Sequence, residues 1–562
     1  MLTSFTVSGF KSVRDEAQLE LAPLTTLVGA NSSGKSSLLQ AFLLLSQSVQ
    51  RPSSDSALDF NGLYLNLGTL QEVQTRPLAP NLVIGCGFTL PESRRRVASA
   101  LDPAAAPRSA TFRLSASTVD ESPSKPARVD DLDLRVRDAD GFDHLLLAHR
   151  RRGGFPPTPH MPNPSNRPTL LASQNYRVEA DTRIAISSDS SGPISGVELA
   201  GPLPVAVWRS YDSVVRAVDI TLRNLLLFSA HPQSTIREGT SDQVQTLVLD
   251  FWMEPGIGEI LGDRPKSIDD AYRRLASVRP IIRTRARSLV GEYLQKVPSR
   301  RDPDWAFERL PLPSTVATAV DELRERLSNV LYLGPLRAAP RPLFAAAAGT
   351  SPKSVGREGE FTASLLSRYA DERVTFHWLG ERKSEPLGDA VGRWMRHLDL
   401  HAGATAHNYG RLGHDLVVED SIVGGLDLTQ VGVGVSQALP VIVQCLIAPA
   451  GSVVVLEQPE LHLHPRVQSR LADFLVGASK AGRTILCETH SEYLVSKLRI
   501  ATGHGELQYG RDYRLYFTSR IEGFTRIEEV KVHTKGRLVK WPAGFFDQSA
   551  EDANELLEVQ LR

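Results

Sequence analysis

Cysteine is almost missing from this chain. Only Cys86, Cys445 and Cys487 occur in 562 residues, far apart and with no CxxC or Cys/His cluster. That excludes a disulfide framework and a structural zinc site and fits a reducing compartment. An excess of one charge is missing as well: 64 Lys and Arg balance 64 Asp and Glu, so any nucleic-acid surface has to be a local patch. No apolar run approaches the roughly 18 residues of a membrane span, and MLTSFTVSGFKSVRDE reads as strand and turn rather than as an export signal. A cytoplasmic protein is therefore expected. No heptad pattern persists, so long coiled-coil arms are not expected, and no internal repeat is visible. What is present is ordinary globular usage, 41% hydrophobic and 23% charged, long enough for several domains or for one domain carrying a large insertion.

Three regions follow from the patterning. In residues 1–90, strand-like segments at Leu2 to Val7 and Ala17 to Leu21 precede an apolar strand, Leu24 to Val28, and then GANSSGKSSLLQAFLLLSQ, a glycine turn opening a long helix. Residues 91–330 read as an insertion: 91–204 are rich in Pro, Ser, Ala and Arg with short alternating segments such as LDLRVRD, and 205–330 take on helical periodicity, as in VWRSYDSVVRAVDITLRNLLLF. In 331–562 an α/β pattern returns, where GSVVVLEQPELHLHP and RTILCETHSEYL each read as a buried strand running into a loop. The fold class is α/β, a mixed sheet with flanking helices, interrupted by a mixed β and helical insertion.

Gly29 to Ser36 satisfy GxxxxGK[ST] in its required strand-to-helix context. In such a loop Gly29 and Gly34 let backbone N–H groups wrap phosphates, with Asn31, Ser33 and Ser37 as further loop contacts; Lys35 reaches the β/γ oxygens and Ser36 can ligate Mg²⁺. The cofactors expected are ATP and Mg²⁺. Far along the chain, Glu457 ends a wholly apolar strand, where it can hold the metal. A second strand ends at His490, suited to touching a γ-phosphate, and VGVGVSQALPVIVQCL places Ser436 at the mouth of a helix, a further anion site.

These elements in this order, GxNxxGKS, a glycine/serine signature, an acidic strand end followed by PELHLHP, and THS, resemble the P-loop ABC-type ATPase heads of the SMC, RecF and OLD group. The chain is most similar to the ATPase subunits of Septu-type anti-phage defence systems, which share YLGPLR and WPxGFFD, here Tyr332 to Arg337 and Trp541 to Asp547. The resemblance spans about residues 1–90 and 331–562. It implies that Lys35 and Ser36 are Walker A contacts, Glu457 the Walker B acid, His490 the switch histidine and Ser436 the signature serine that meets the γ-phosphate held by another subunit. A homodimer or higher even homo-oligomer is the corresponding expectation, and Gln71 is a candidate glutamine-loop residue. One departure stands out: Gln458 occupies the place of the usual catalytic glutamate. Glutamine can orient water but cannot take its proton, so slow hydrolysis is expected, with Glu460 as an alternative base.

His462 and His464 alternate in ELHLHP, but no third and fourth ligand is evident nearby for a metal. Residues 270–301, with Arg273, Arg274, Arg279, Arg283, Arg285, Arg287, Lys296, Arg300 and Arg301, form the densest basic stretch. It is a solvated helix face or a duplex-DNA contact. His149 to Arg152 read as a surface loop. Only 72 residues follow His490, without a Glu plus DxD arrangement, too few for a Toprim nuclease as well. Cleavage would therefore come from a second polypeptide. Three readings stay open: an ATPase that regulates an associated effector such as a nuclease in anti-phage defence, a RecF-like DNA-repair ATPase acting directly on DNA, and an ATP-gated scaffold with negligible turnover.

Overall fold

Strand β1 (Leu2–Ser8) alternates in burial, as expected of a strand covered on one face, and pairs antiparallel with the short β2 (Ala17–Glu20). In β3 (Leu24–Gly29), every residue before the glycine is buried, the pattern of a parallel strand with helices on both faces. Helix Lys35–Gln50 follows directly, and nearly all of its length is buried; Phe42 packs edge-on against Phe5 of β1 at 5.5 Å. Strands β4 (Leu82–Thr89), β5 (Pro107–Ala116) and β6 (Val129–Asp138) extend the first pair into an antiparallel layer ordered β2-β1-β4-β5-β6.

The computed structural model describes residues 1–52, 58–76, 81–90, 107–116, 129–138, 143–150, 176–178, 194–227, 241–297, 305–344, 354–420, 422–542 and 544–546, with 552, 555–557 and 559 beyond them. Packing divides the chain into two compact units, one of Met1–Leu147, Leu199–Leu203 and Ser314–Arg562, the other of Ala148–Glu198 and Pro204–Pro313. The expected insertion ran from 91 to 330; in this division β5, β6 and the helix Ser314–Ser328 belong with the first unit. Strand β5 is held in register along the whole of β4.

In the second unit, β7 (Asp143–Arg150) contains the division, and its last residues pair with β8 (Tyr176–Val178), which in turn pairs with β9 (Ile194–Ala200). Strand β10 (Leu203–Asp212) pairs antiparallel with β11 (Trp305–Pro311). The helical periodicity expected from Val207 begins only at Ser213, because the first six of those residues complete β10 and Asp212 Oδ1 accepts from the amides of Val214 and Val215, capping the helix Ser213–Leu227. Helices then follow to Lys296 around a core that includes Val218, Leu222, Phe251 and Tyr293, the last donating its hydroxyl to Leu247 O at 2.5 Å.

Back in the first unit, the chain forms β12 (Val330–Leu333), the hairpin β13 (Arg373–Trp378) and β14 (Glu381–Pro386), and a small sheet of β15 (Gly403–Thr405), β16 (Val417–Asp420) and β17 (Gly424–Asp427). Strands β18 (Val453–Glu457) and β19 (Thr484–Glu488), both buried at every residue, and the pair β20 (Tyr513–Ile521) and β21 (Phe524–Glu529) complete a six-stranded sheet ordered β12-β18-β19-β3-β20-β21. All its pairings are parallel except β20–β21. This is the α/β, mixed-sheet P-loop architecture expected: the phosphate-loop strand is central, and ligand chemistry gathers at the carboxyl ends of the strands.

Candidate nucleotide site

Register brings the site together. Glu457 stands opposite Glu488, Glu488 opposite Leu27, and Thr518 opposite Gly29, so four strand ends meet around the loop Gly29–Ser36. The loop turns through left-handed backbone at Ser32 (φ 58°) and Gly34 (φ 103°) before the helix starts at Lys35. Gly34 has to be glycine for a second reason, since a Cβ there would lie 1.9 Å from Thr525 Oγ1. Asn31 and Ser32 are exposed, whereas Ser33 and Lys35 are buried.

Lys35 Nζ donates to the carbonyls of Gly29 (3.1 Å) and Ala30 (2.8 Å) and lies 3.9 Å from Glu488 Oε1. Ser36 Oγ donates to Glu488 Oε2 at 2.8 Å. The expected metal pair was Ser36 and Glu457; the carboxylate that touches Ser36 is Glu488, which the sequence reading passed over. Its signal was available: TILCE, like VVVLE, is an apolar parallel strand ending in an acid. Glu457 is also at the site but turned to other partners. Its Oε1 accepts from the Tyr332 hydroxyl at 2.9 Å, and its carbonyl accepts from Arg337 Nη2 at 3.2 Å. Tyr332 and Arg337 are the first and last residues of YLGPLR, so this motif brackets the end of β18.

Burial sets the electrostatics. Desolvation, reinforced by the neighbouring Glu488 charge, pushes Glu457 up to about 7, and burial raises Glu488 and Glu460 as well. Lys35 is lowered by desolvation, and His490 is pushed down to about 4 by desolvation and then by the Lys35 charge, so its ring is neutral at physiological pH.

Gln458 is held with φ 45°, a left-handed conformation costly for a non-glycine residue, and its amide donates to Glu488 O at 2.8 Å. Glu460 Oε1 accepts from the His490 amide at 2.6 Å, tying the loop after β18 to the loop after β19; the Glu460 side chain is buried. Ser436 stands apart from this group. It is buried near the start of the helix Val433–Ile447, donates to Val433 O at 2.7 Å, and lines a small cavity with Glu358, Gly359 and Pro440. Ser37 is half-buried in the first turn of the phosphate-loop helix, and Gln71 is exposed on the one-turn helix Leu70–Val73. His464 caps the helix Pro465–Lys480, its Nδ1 accepting from the Arg466 amide, while His462 sits in a turn with φ 60°.

In the second unit, the basic stretch does not present one uniform face. Arg273, Arg279, Arg285 and Arg287 are exposed, Arg274 pairs with Asp270, Lys296 pairs with Glu254, and Arg283 is buried. Arg300, Arg301, Arg151 and Arg152 lie outside the described residues. Among the described residues, no helix is long and apolar enough to cross a membrane.

Comparison with known proteins agrees with this geometry at both ends of the chain. Residues 1–89 match a family described as "AAA ATPase domain", and residues 417–496 match one described as "AAA domain, putative AbiEii toxin, Type IV TA system". The first contains the phosphate loop and the second contains Ser436, Glu457 and His490, so the chain carries an ATPase-type nucleotide domain assembled from distant segments. Residues 511–556 match a "Protein of unknown function (DUF3696)". No curated protein matches the chain. Among solved structures, the SMC head domain from Thermotoga maritima is similar at 10% identity and a TM-score of 0.31, with 94% of this chain and 99% of that chain covered. An Smc head bound to the C-terminal domain of ScpA derived from Pyrococcus furiosus gives 11% identity and a TM-score of 0.32, with 100% and 99% covered. Likeness at those scores carries no weight beside the strand order and the loop itself.

Proposed function

We propose that this chain is an ABC-type ATPase of the SMC/RecF/OLD-like group that closes around MgATP with a second copy of itself, hydrolyses slowly, and regulates an associated effector, a nuclease, in anti-phage defence. The observation that carries the nucleotide part is the meeting of Lys35, Ser36 and Glu488 within one hydrogen-bonded cluster at the carboxyl end of the sheet.

The residues fit MgATP. The loop glycines clear a path for backbone amides, a buried lysine is held by carbonyls that phosphate oxygens can replace, and the Glu488 carboxylate accepts from the Ser36 hydroxyl. Lys35 and the loop amides would hold the β- and γ-phosphates. Ser36 with Glu488 and Glu457 would hold the metal, which supplies charge neutralisation on the phosphate oxygens. His490, neutral at physiological pH, can donate a ring N–H to a phosphate oxygen without adding charge.

Gln458 would orient the attacking water. Without a base at that position, turnover falls by about 10² to 10⁴, so bound ATP holds the closed state and hydrolysis resets it. Glu460 is the alternative base, its Oε1 accepting from the His490 amide. Ser436 makes no hydrogen bond to the loop cluster, in keeping with a signature serine that serves the phosphate held by another copy.

The test is the native mass of the chain expressed with its own flanking genes and with Mg-ATP present. An even assembly containing a second polypeptide is expected, and its loss in Lys35→Ala ties assembly to nucleotide. A monomer with or without ATP would overturn the reading. Direct action on duplex DNA is favoured by one observation, the four solvent-facing arginines of the basic stretch. An even homo-oligomer whose hydrolysis is stimulated by DNA would shift the assignment there.

A further inference from the structure

The phosphate loop is braced from outside by a hairpin that begins more than 470 residues after it. Two contacts make the brace. The Thr518 hydroxyl of β20 donates to Val28 O at 3.2 Å, which leaves its lone pairs for the Ser33 hydroxyl of the loop at 2.6 Å; both side chains are buried. Thr525 of β21 donates its hydroxyl to Ser12 Oγ at 2.7 Å and its amide to Ser12 O at 2.7 Å, and lies where a Cβ on Gly34 would be. Gly29 is pressed in the same way, since a Cβ there would lie 2.2 Å from Thr518 O. Both glycines of the loop therefore face β20–β21 at distances that exclude any side chain.

We propose that the β20–β21 hairpin sets the conformation of the phosphate loop, with Thr518 and Thr525 as positioning residues for the nucleotide phosphates. The hairpin falls wholly within residues 511–556, the stretch matched to a family of unknown function, so this assigns that stretch a role at the nucleotide site. The brace has its own backing. Phe517 packs edge-on against Phe545 at 5.5 Å, and Trp541 against Phe545 at 5.6 Å, in a cluster that includes Val28 just before the loop. Phe545 thereby packs in one cluster with residues of β20 and β3.

A loop amide that is only loosely held binds phosphate less well because binding must then order it. The inference rests on the nucleotide reading, so the experiment separates the two. Equilibrium binding of a fluorescent ATP analogue and of adenosine is measured for wild type, Lys35→Ala, Thr518→Val, Thr518→Ser and Thr525→Val, with thermal melting of each. Thr518→Val keeps shape and loses the hydroxyl; an affinity for the ATP analogue about five- to tenfold lower is expected, with adenosine binding unchanged and Thr518→Ser close to wild type. Thr525→Val should behave like Thr518→Val. Unchanged analogue affinity in both valine variants would overturn the brace while leaving the nucleotide reading intact, as would equal losses for analogue and adenosine. Wild type that binds no analogue would overturn the nucleotide reading itself.

Discussion

Removing one oxygen atom, in Tyr332→Phe, isolates the bond that turns Glu457 aside. Both side chains are only 4% exposed, and the hydroxyl lies 2.9 Å from Glu457 Oε1. The ring itself, edge-on to Tyr64 at 6.1 Å, stays in place in the phenylalanine variant, so no cavity opens. The sign follows from Glu457. Its folded value is raised from 4.5 to about 7, so its contribution to stability is fully present below 4.5 and is lost as pH rises through about 7. The Tyr332 hydroxyl offsets part of that loss, because it donates to the ionised form. Deleting it costs about 2 kcal/mol at a pH near 8.5, where the carboxylate is charged, and about 1 kcal/mol near pH 5.5, where the carboxyl is neutral. In a unit of about 400 residues each kcal/mol lowers the melting temperature by only about 1 °C. Differential scanning fluorimetry with EDTA, at both pH values, reads this directly. A loss of equal size at the two pH values, or a stabilised variant, would refute the idea that this hydroxyl holds a charged Glu457.

Gln458→Glu restores a group able to take a proton from water, and steady-state ATP turnover should rise by about tenfold or more; rapid wild-type turnover that also survives Glu460→Ala would sink the slow-reset mechanism. Glu488→Gln should weaken the dependence of ATP-analogue affinity on Mg²⁺ more than Glu457→Gln does, because Glu488 is the carboxylate on Ser36; calorimetric titration at several metal concentrations checks the order. In the second unit, Glu308 accepts from Arg209 at 2.5 Å and from Arg216 at 2.6 Å, and Arg209 is buried. Glu308→Gln should cost about 2 kcal/mol, seen as faster amide exchange along β10 and β11, and exchange like that of wild type would show the pair to be dispensable. Arg285→Ala with Arg287→Ala should shallow the salt dependence of any duplex-DNA binding by about two units of log–log slope; an unchanged slope removes this patch from the interface.

Much of the fold was legible because it is written in short-range patterns. The glycine loop, the helix after it and the continuous apolar runs VVVLE and TILCE each depend on neighbours a few residues away, and period and turn chemistry report them. Helical periodicity misled at Val207 to Asp212, where pairing with β11 overrode it. The site was legible only in part. Lys35, Ser36, Gln458 and His490 sit in motifs, and the structure places them around one group of strand ends. Glu488 belongs to no motif noted in the sequence, and its role follows from β19 lying between β18 and β3.

The sequence by itself therefore determined that the chain has a phosphate loop of P-loop type and a buried strand end at Glu457 with a glutamine beside it. Only the tertiary structure decided which acid meets Ser36, what YLGPLR does to Glu457, and which surface holds the loop glycines. The reason is separation along the chain: Ser36 to Glu488 spans 452 residues, Ser33 to Thr518 spans 485 and Tyr332 to Glu457 spans 125. No local period encodes contacts of that length; they are set by the order in which parallel strands assemble and by the register that brings their carboxyl ends level.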